Sequence, residues 1–169
     1  MTNTQILPRE LLEGMLEDFA KNWLAHDGLW FQAVEKHYGQ ESAIELDTVA
    51  WRQFTVIEAQ RIMARHGIPA GSGLGGLKRA LGFRLYALLN TQEIRNETVN
   101  SFEFYMMDCR VQSARKRKQL PLFPCKSVGL VEYEWFAKTV DPRIRTECMC
   151  CPPDIEAGQE YFCRWRFSI

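Results

Sequence analysis

The chain has 169 residues, 46% hydrophobic and 12% aromatic, with 21 basic residues balanced by 21 acidic ones. That size and apolar content fit one folded domain with a sizeable core and exclude a disordered chain. A formal charge of zero argues against a dedicated nucleic-acid surface, and no apolar run reaches the ~18 residues a membrane helix needs.

Residues 1–7 lack the basic start and long apolar stretch of a secretory leader, so a cytoplasmic protein is expected. Its six cysteines should then be reduced, which puts metal binding, catalysis or plain burial ahead of disulfides. Pro8 suits a first helical turn. Leu12, Met15, Leu16, Phe19 and Trp23 follow at helical spacing, and the stripe continues through His26, Trp30 and Val34. A kink or break is expected at Asp27-Gly28, and Gly39 should close the unit. A second helix is expected over residues 41–65, carrying Ile44, Trp51, Phe54, Ile57 and Ile62, with Gly67 and Pro69 ending it.

Residues 71–76 read as a glycine-rich connector. A third helix with Leu77, Leu81, Leu85 and Leu88 on one stripe should follow it. The period then changes to two over residues 100–108, where Phe102, Phe104 and Met106 alternate with Glu103 and Tyr105, which indicates a strand. A short helix over 110–118 and another starting near Cys125 come next, broken apart by Pro121 and Pro124. Residues 143–150 and 160–169 read as a C-terminal β-hairpin around a proline-rich turn. Tyr161, Cys163, Trp165, Phe167 and Ile169 should share its apolar face, with Arg164 and Arg166 outside. The order predicts an α+β fold: N-terminal helices packed with a small antiparallel sheet. A single domain over 1–169 is expected, mainly helical over 1–90 and mixed over 91–169.

Several groups could carry chemistry. His26 lies between Trp23 and Trp30 beside Asp27. An imidazole there could move protons near neutral pH or ligate a metal, while the plainer reading is a hydrogen-bonded core histidine. Asp47 and Glu58 fall on the apolar stripe of the second helix. They face one way but lie about 16 Å apart along the axis. They cannot form one carboxylate pair. Each could line a pocket or pair with an arginine such as Arg84 or Arg143. The glycine-rich connector lacks the flanking strand and the lysine of a phosphate loop, so it reads as a flexible or close-packing segment. The run 115–118 is four consecutive cations near a helix C-terminus, by default a solvated face.

Cys109 and Cys125 each sit at an expected helix N-terminus, where backbone N–H groups favour a thiolate. Cys148, Cys150 and Cys151 lack the paired spacing of common zinc sites. Cys148 and Cys150 share a strand face, and Cys163 faces them across the hairpin. A zinc site from Cys148, Cys150 and Cys163, completed by Cys109 or His26, is stereochemically feasible. Buried cysteines acting as small hydrophobes are the plainer reading.

Three segments carry a family resemblance. The run Trp23-x-x-His26-Asp27-Gly28-Leu29-Trp30-Phe31 with Thr55-Val56-Ile57-Glu58-Ala59, and the ending Gly158-Gln159-Glu160-Tyr161-Phe162-Cys163-Arg164-Trp165-Arg166-Phe167, resemble the L-2-amino-thiazoline-4-carboxylic acid hydrolase-like proteins, in a cytosolic branch. Arg164 departs from the acidic residue usual after the cysteine. The chain is more distantly similar to 4-vinyl reductase-type small-molecule-binding domains. The resemblance implies a ligand pocket between helices and a small sheet.

Three readings stand side by side. The first is a small-molecule-binding protein that could hydrolyse a non-peptide C–N bond in a small cyclic amidine or amide-like compound. Cys109 or Cys163 would attack, His26 would move protons, and Asp47, Glu58, Trp30 and Trp51 would hold the substrate. The second is a cysteine-ligated zinc or iron–sulfur protein. The third is a homodimeric interaction module using Trp30, Phe31, Trp51 and Trp135.

Overall fold

A computed structural model describes residues 7–155 and 158–169. The apolar helical spacing builds α1, Arg9–His66, whose backbone breaks at Gly39 (φ 86°, ψ 164°). A residue with a Cβ adopts that conformation only under strain, so the chain leaves its first axis there. The arms, residues 9–38 and 40–66, fold back on each other. Trp23 of the first meets Trp51 and Phe54 of the second, with ring centroids 5.9 and 5.1 Å apart. The break expected at Asp27-Gly28 is absent, and helix runs through both residues. A lone glycine costs a helix interior only about 1 kcal/mol, which packing of the flanking aromatics outweighs. The second arm ends as expected at Gly67, whose left-handed backbone donates its N–H to the Met63 carbonyl.

The third helix is shorter than its leucine stripe suggests. Helix α2 covers Gly73–Leu81, and a separate 3-10 turn covers Leu85–Leu88. Between them Arg84 takes an extended backbone. Strands β1, Thr91–Arg95, and β2, Ser101–Asp108, follow. Next come helices α3, Arg110–Arg117, and α4, Lys126–Val140. The final strands are β3, Arg145–Cys150, and β4, Cys163–Ser168. The four strands form one antiparallel sheet in the order β1-β2-β4-β3. The protein is therefore α+β. Among the described residues no helix is long and apolar enough to cross a membrane.

One face of the sheet is the core. Phe102, Phe104 and Met106 of β2 and Cys163, Trp165 and Phe167 of β4 are buried. They pack with Tyr133, Phe136, Ala137 and Val140 of α4 and Leu77 and Leu81 of α2. Trp165 is fully buried. A Cβ at Gly129 of α4 would meet its ring at 2.8 Å, so only glycine lets the helix approach this closely. A second aromatic cluster, Trp51, Tyr86, Phe123 and Val128, joins α1 to α4.

The hairpin forms, with three departures. Tyr161 precedes the strand and packs edge-on against Tyr105 at 5.0 Å, on the outer face where Tyr105 pairs with Arg164. Ile169 lies beyond the strand and is 43% exposed. The third departure moves a cysteine. Cys148 lies opposite Trp165, but Cys150 lies opposite Arg164, so a bulge inserts one extra residue between them. That slip reverses the facing of all that follows. Cys150 turns outward and donates its thiol to the Asp154 carbonyl (3.0 Å) and to Gln159 Oε1 (3.1 Å). Cys151 turns inward and is buried.

Candidate functional site: an aromatic cavity lined by carboxyls and thiols

A cavity of about 570 Å³ opens between the first arm of α1, helices α3 and α4, and the inner face of the sheet. Its volume lies in the range of small-molecule sites. Leu24, Phe31, Trp51, Tyr86, Phe123 and Tyr133 supply aromatic and aliphatic walls. Lys21, Arg110, Arg115, Arg117 and Lys118 contribute cations to the lining.

Three carboxylates also line the helical side. Asp27 and Asp47 come from the two arms of α1, and Glu132 from α4. Burial, with the neighbouring charges of Asp27 and Glu132, pushes the Asp47 carboxyl up to about 7, against a hydrogen bond from Trp51 that lowers it. Burial also raises Asp27, in opposition to His26. Glu132 is raised by burial even though Arg84 opposes the shift.

Arg84 is the buried counter-charge. Its Nε donates to Glu58 Oε2 at 2.8 Å, and its Nη1 lies 2.6 Å from Glu132 Oε1. The rings of Phe136, Tyr86 and Tyr133 surround the guanidinium at 4.8, 5.5 and 5.6 Å. Burial opposes its charge, but Glu132 and Glu58 outweigh burial and hold it protonated. The Thr55 hydroxyl, buried on α1, donates to the Glu132 carbonyl at 3.0 Å. One arginine thus faces two carboxylates, and Asp27 and Asp47 add two more beside them.

Thiols occupy the sheet side. Cys109, Cys125, Cys151 and Cys163 all line the cavity. Cys109 caps α3 and Cys125 caps α4, at the helix N-termini expected for them. Burial nevertheless pushes the Cys109 thiol up to about 12, so it stays protonated near neutral pH.

The expected site residues divide. Asp47, Trp51, Cys109 and Cys163 meet at the cavity. His26 does not: it is exposed and stands outside the lining, because its helix turns Asp27 inward instead. Glu58 stands outside too, held by Arg84. Trp30 is 68% exposed and borders a smaller crevice of about 70 Å³ that Asp27 and Asp47 also line. A mechanism that joins His26 and Glu58 to a cysteine therefore lacks the required convergence. The zinc set fails for a related reason. Cys150 faces away from Cys148 and Cys163, and among the described residues no group of three or more His, Cys, Asp or Glu is placed to hold a metal ion. The basic run is not simply solvated either. Arg115 is buried and donates to the Pro121 carbonyl (2.7 Å) and to both carboxylate oxygens of Glu35 (3.3 Å), while Lys118 reaches Gln32.

Sequence reasoning missed Glu132, Tyr86 and Tyr133. Glu132 had a signal. It lies four residues from both Val128 and Phe136, on the apolar stripe of α4, as Asp47 does on α1. Tyr86 had none, since its burial depends on the turn at Arg84.

No curated protein matches the chain. A family model described as a family of unknown function (DUF6125) matches residues 5–169, and the chain belongs to that family.

Proposed function

We propose that the protein binds a small ring compound bearing a protonated amidine or amine. The observation that carries this reading is the group of three carboxyls on the aromatic wall of the cavity, Asp27, Asp47 and Glu132, of which Arg84 pairs only Glu132. Arg84 already serves Glu58 and Glu132, so a ligand amidinium beside Asp47 and Asp27 would pair with the carboxyls that this arginine does not reach. The ring would pack against Trp51 and Tyr86, whose rings stack 5.9 Å apart. The resemblance to hydrolases of a cyclic amidine-like compound supports the same ligand chemistry. Hydrolysis of a C–N bond is the finer form of this reading. Asp47, titrating near 7, has the proton affinity for a general base there. The cytoplasm, where the thiols stay reduced, is the compartment that suits it.

The test is calorimetric titration with three isosteric probes: benzamidine, benzamide and benzoate. The cation should bind measurably, the neutral amide at least ~10-fold more weakly, and the anion not at all. Equal affinity for the three, or preference for benzoate, would overturn the reading.

A second reading concerns self-association. Leu16, Phe19, Leu29 and Trp30 on the first arm are 57–68% exposed, and a second copy could cover them. Trp51 is buried, and Phe31 packs on Phe123 at 4.8 Å, so neither serves that interface. Light scattering should find a dimer that Trp30→Glu converts to monomer; a monomeric parent would remove this reading.

A further inference from the structure

The bulge in β3 has a chemical consequence. By turning Cys151 inward it sets that thiol against Cys125, with the two Sγ atoms 3.5 Å apart. Cys125 caps the N-terminus of the 15-residue helix α4, where backbone N–H groups favour a thiolate. Gln112 Nε2 donates to the same Sγ at 3.5 Å. Both residues line the cavity, where a small reagent would meet them.

We propose that Cys125 and Cys151 form a thiol–disulfide exchange site in the cavity wall, with small organic disulfides as its oxidising substrates. Cys125 is the attacking thiolate. It displaces one thiolate from the substrate disulfide and leaves a mixed disulfide on Cys125. Cys151 then loses its proton and attacks Cys125 Sγ, releasing the second thiolate. The two protons from the protein thiols end on the two departing thiolates. The protein is oxidised by two electrons and the substrate is reduced by two. The sulfurs need to close from 3.5 Å to about 2.05 Å. The helix N-terminus and Gln112 mark Cys125 as the attacking thiol. Hydrogen bonds with Cys151 and Gln112 hold the Cys125 thiol below its ordinary value despite burial, and the Cys151 contact lowers Cys148 as well. Hydrogen bonding with Cys125, Cys148 and Cys163 holds the Cys151 thiol above its own. This proposal is independent of which ligand the cavity binds.

The experiment uses the reduced full chain and bis(2-hydroxyethyl) disulfide. After acid quench and alkylation, peptide mapping should join Cys125 to Cys151 in the first bridge formed, with two mercaptoethanol equivalents released per chain. Cys151→Ser should trap a lasting mercaptoethanol adduct on Cys125. Cys125→Ser should slow disulfide consumption at least ~10-fold. A first bridge from Cys148 to Cys151, or adducts scattered over the six cysteines, would overturn the proposal without any variant having to fold. Consumption by Cys125→Ser within ~2-fold of the parent would overturn it as well.

Discussion

Asp47 is the residue whose titration should be most visible. Its folded-state value of about 7 lies above the ordinary 3.8, so the folded chain binds this proton more tightly than the unfolded chain. The contribution is full below pH 4 and is lost as pH rises toward 7. Asp47→Asn should match the parent at pH 4 and exceed its stability at pH 8 by about 1–2 kcal/mol, after screening of a half-buried group is allowed for. Urea melts at the two pH values check this; a difference of the opposite sign would mean that Asp47 is paired in the fold. The same proton links to the ligand. Benzamidine affinity should rise as pH passes upward through 7 in the parent and stay flat in Asp47→Asn. Arg84 should behave otherwise. Arg84→Met leaves Glu58 and Glu132 buried without their partner and should cost about 3–5 kcal/mol in chemical denaturation. Adding Glu58→Gln and Glu132→Gln should recover part of that loss, since uncompensated charge is its main cause. Asp47 was legible in the sequence as a carboxylate on an apolar stripe. His26 was misread because two flanking tryptophans suggest burial, whereas the helical turn presents Asp27 to the cavity and leaves His26 in solvent.

Two glycines set the geometry of the elements. Gly39 carries the reversal of α1 in a conformation with positive φ, and nothing surrounds the position of its absent Cβ. Gly39→Ala should therefore cost about 1–3 kcal/mol through backbone strain alone, with no clash to relieve. Gly129 is the opposite case. Its backbone is helical, where alanine is intrinsically favoured by about 1 kcal/mol, but the added Cβ would press on the Trp165 ring at 2.8 Å. Overpacking of a fully buried ring should win, for a net loss of about 1–3 kcal/mol in thermal or urea unfolding. A stabilised Gly129→Ala would mean that α4 and β4 are not in this contact. The arms of α1, helix α4 and the C-terminal hairpin were legible from periodicity because each carries an apolar stripe; α3 has none and was bounded by the prolines after it instead. Strand β1 was not. As an edge strand it exposes most of both faces, so Thr91-Gln92-Glu93-Ile94-Arg95 shows no alternation. The bulge in β3 was hidden too, because it depends on pairing with β4 rather than on local sequence.

At the scale of the whole molecule, the cavity exists because two cores do not merge. One core lies between α2, α4 and the sheet, and the other between the arms of α1 and the start of α4. Helix α4 faces both, and the space beside it receives acids from the helical side and thiols from the sheet side. No local pattern encodes that meeting, which is why the sequence pointed to individual residues of the site and not to their grouping. The most direct measurement is a crystal structure of the full chain grown with saturating benzamidine. The amidinium should lie within hydrogen-bond distance of the Asp47 or Asp27 carboxylate, with its ring against Trp51. An empty cavity at saturation, or benzamidine bound only outside it, would contradict amidine binding at this site.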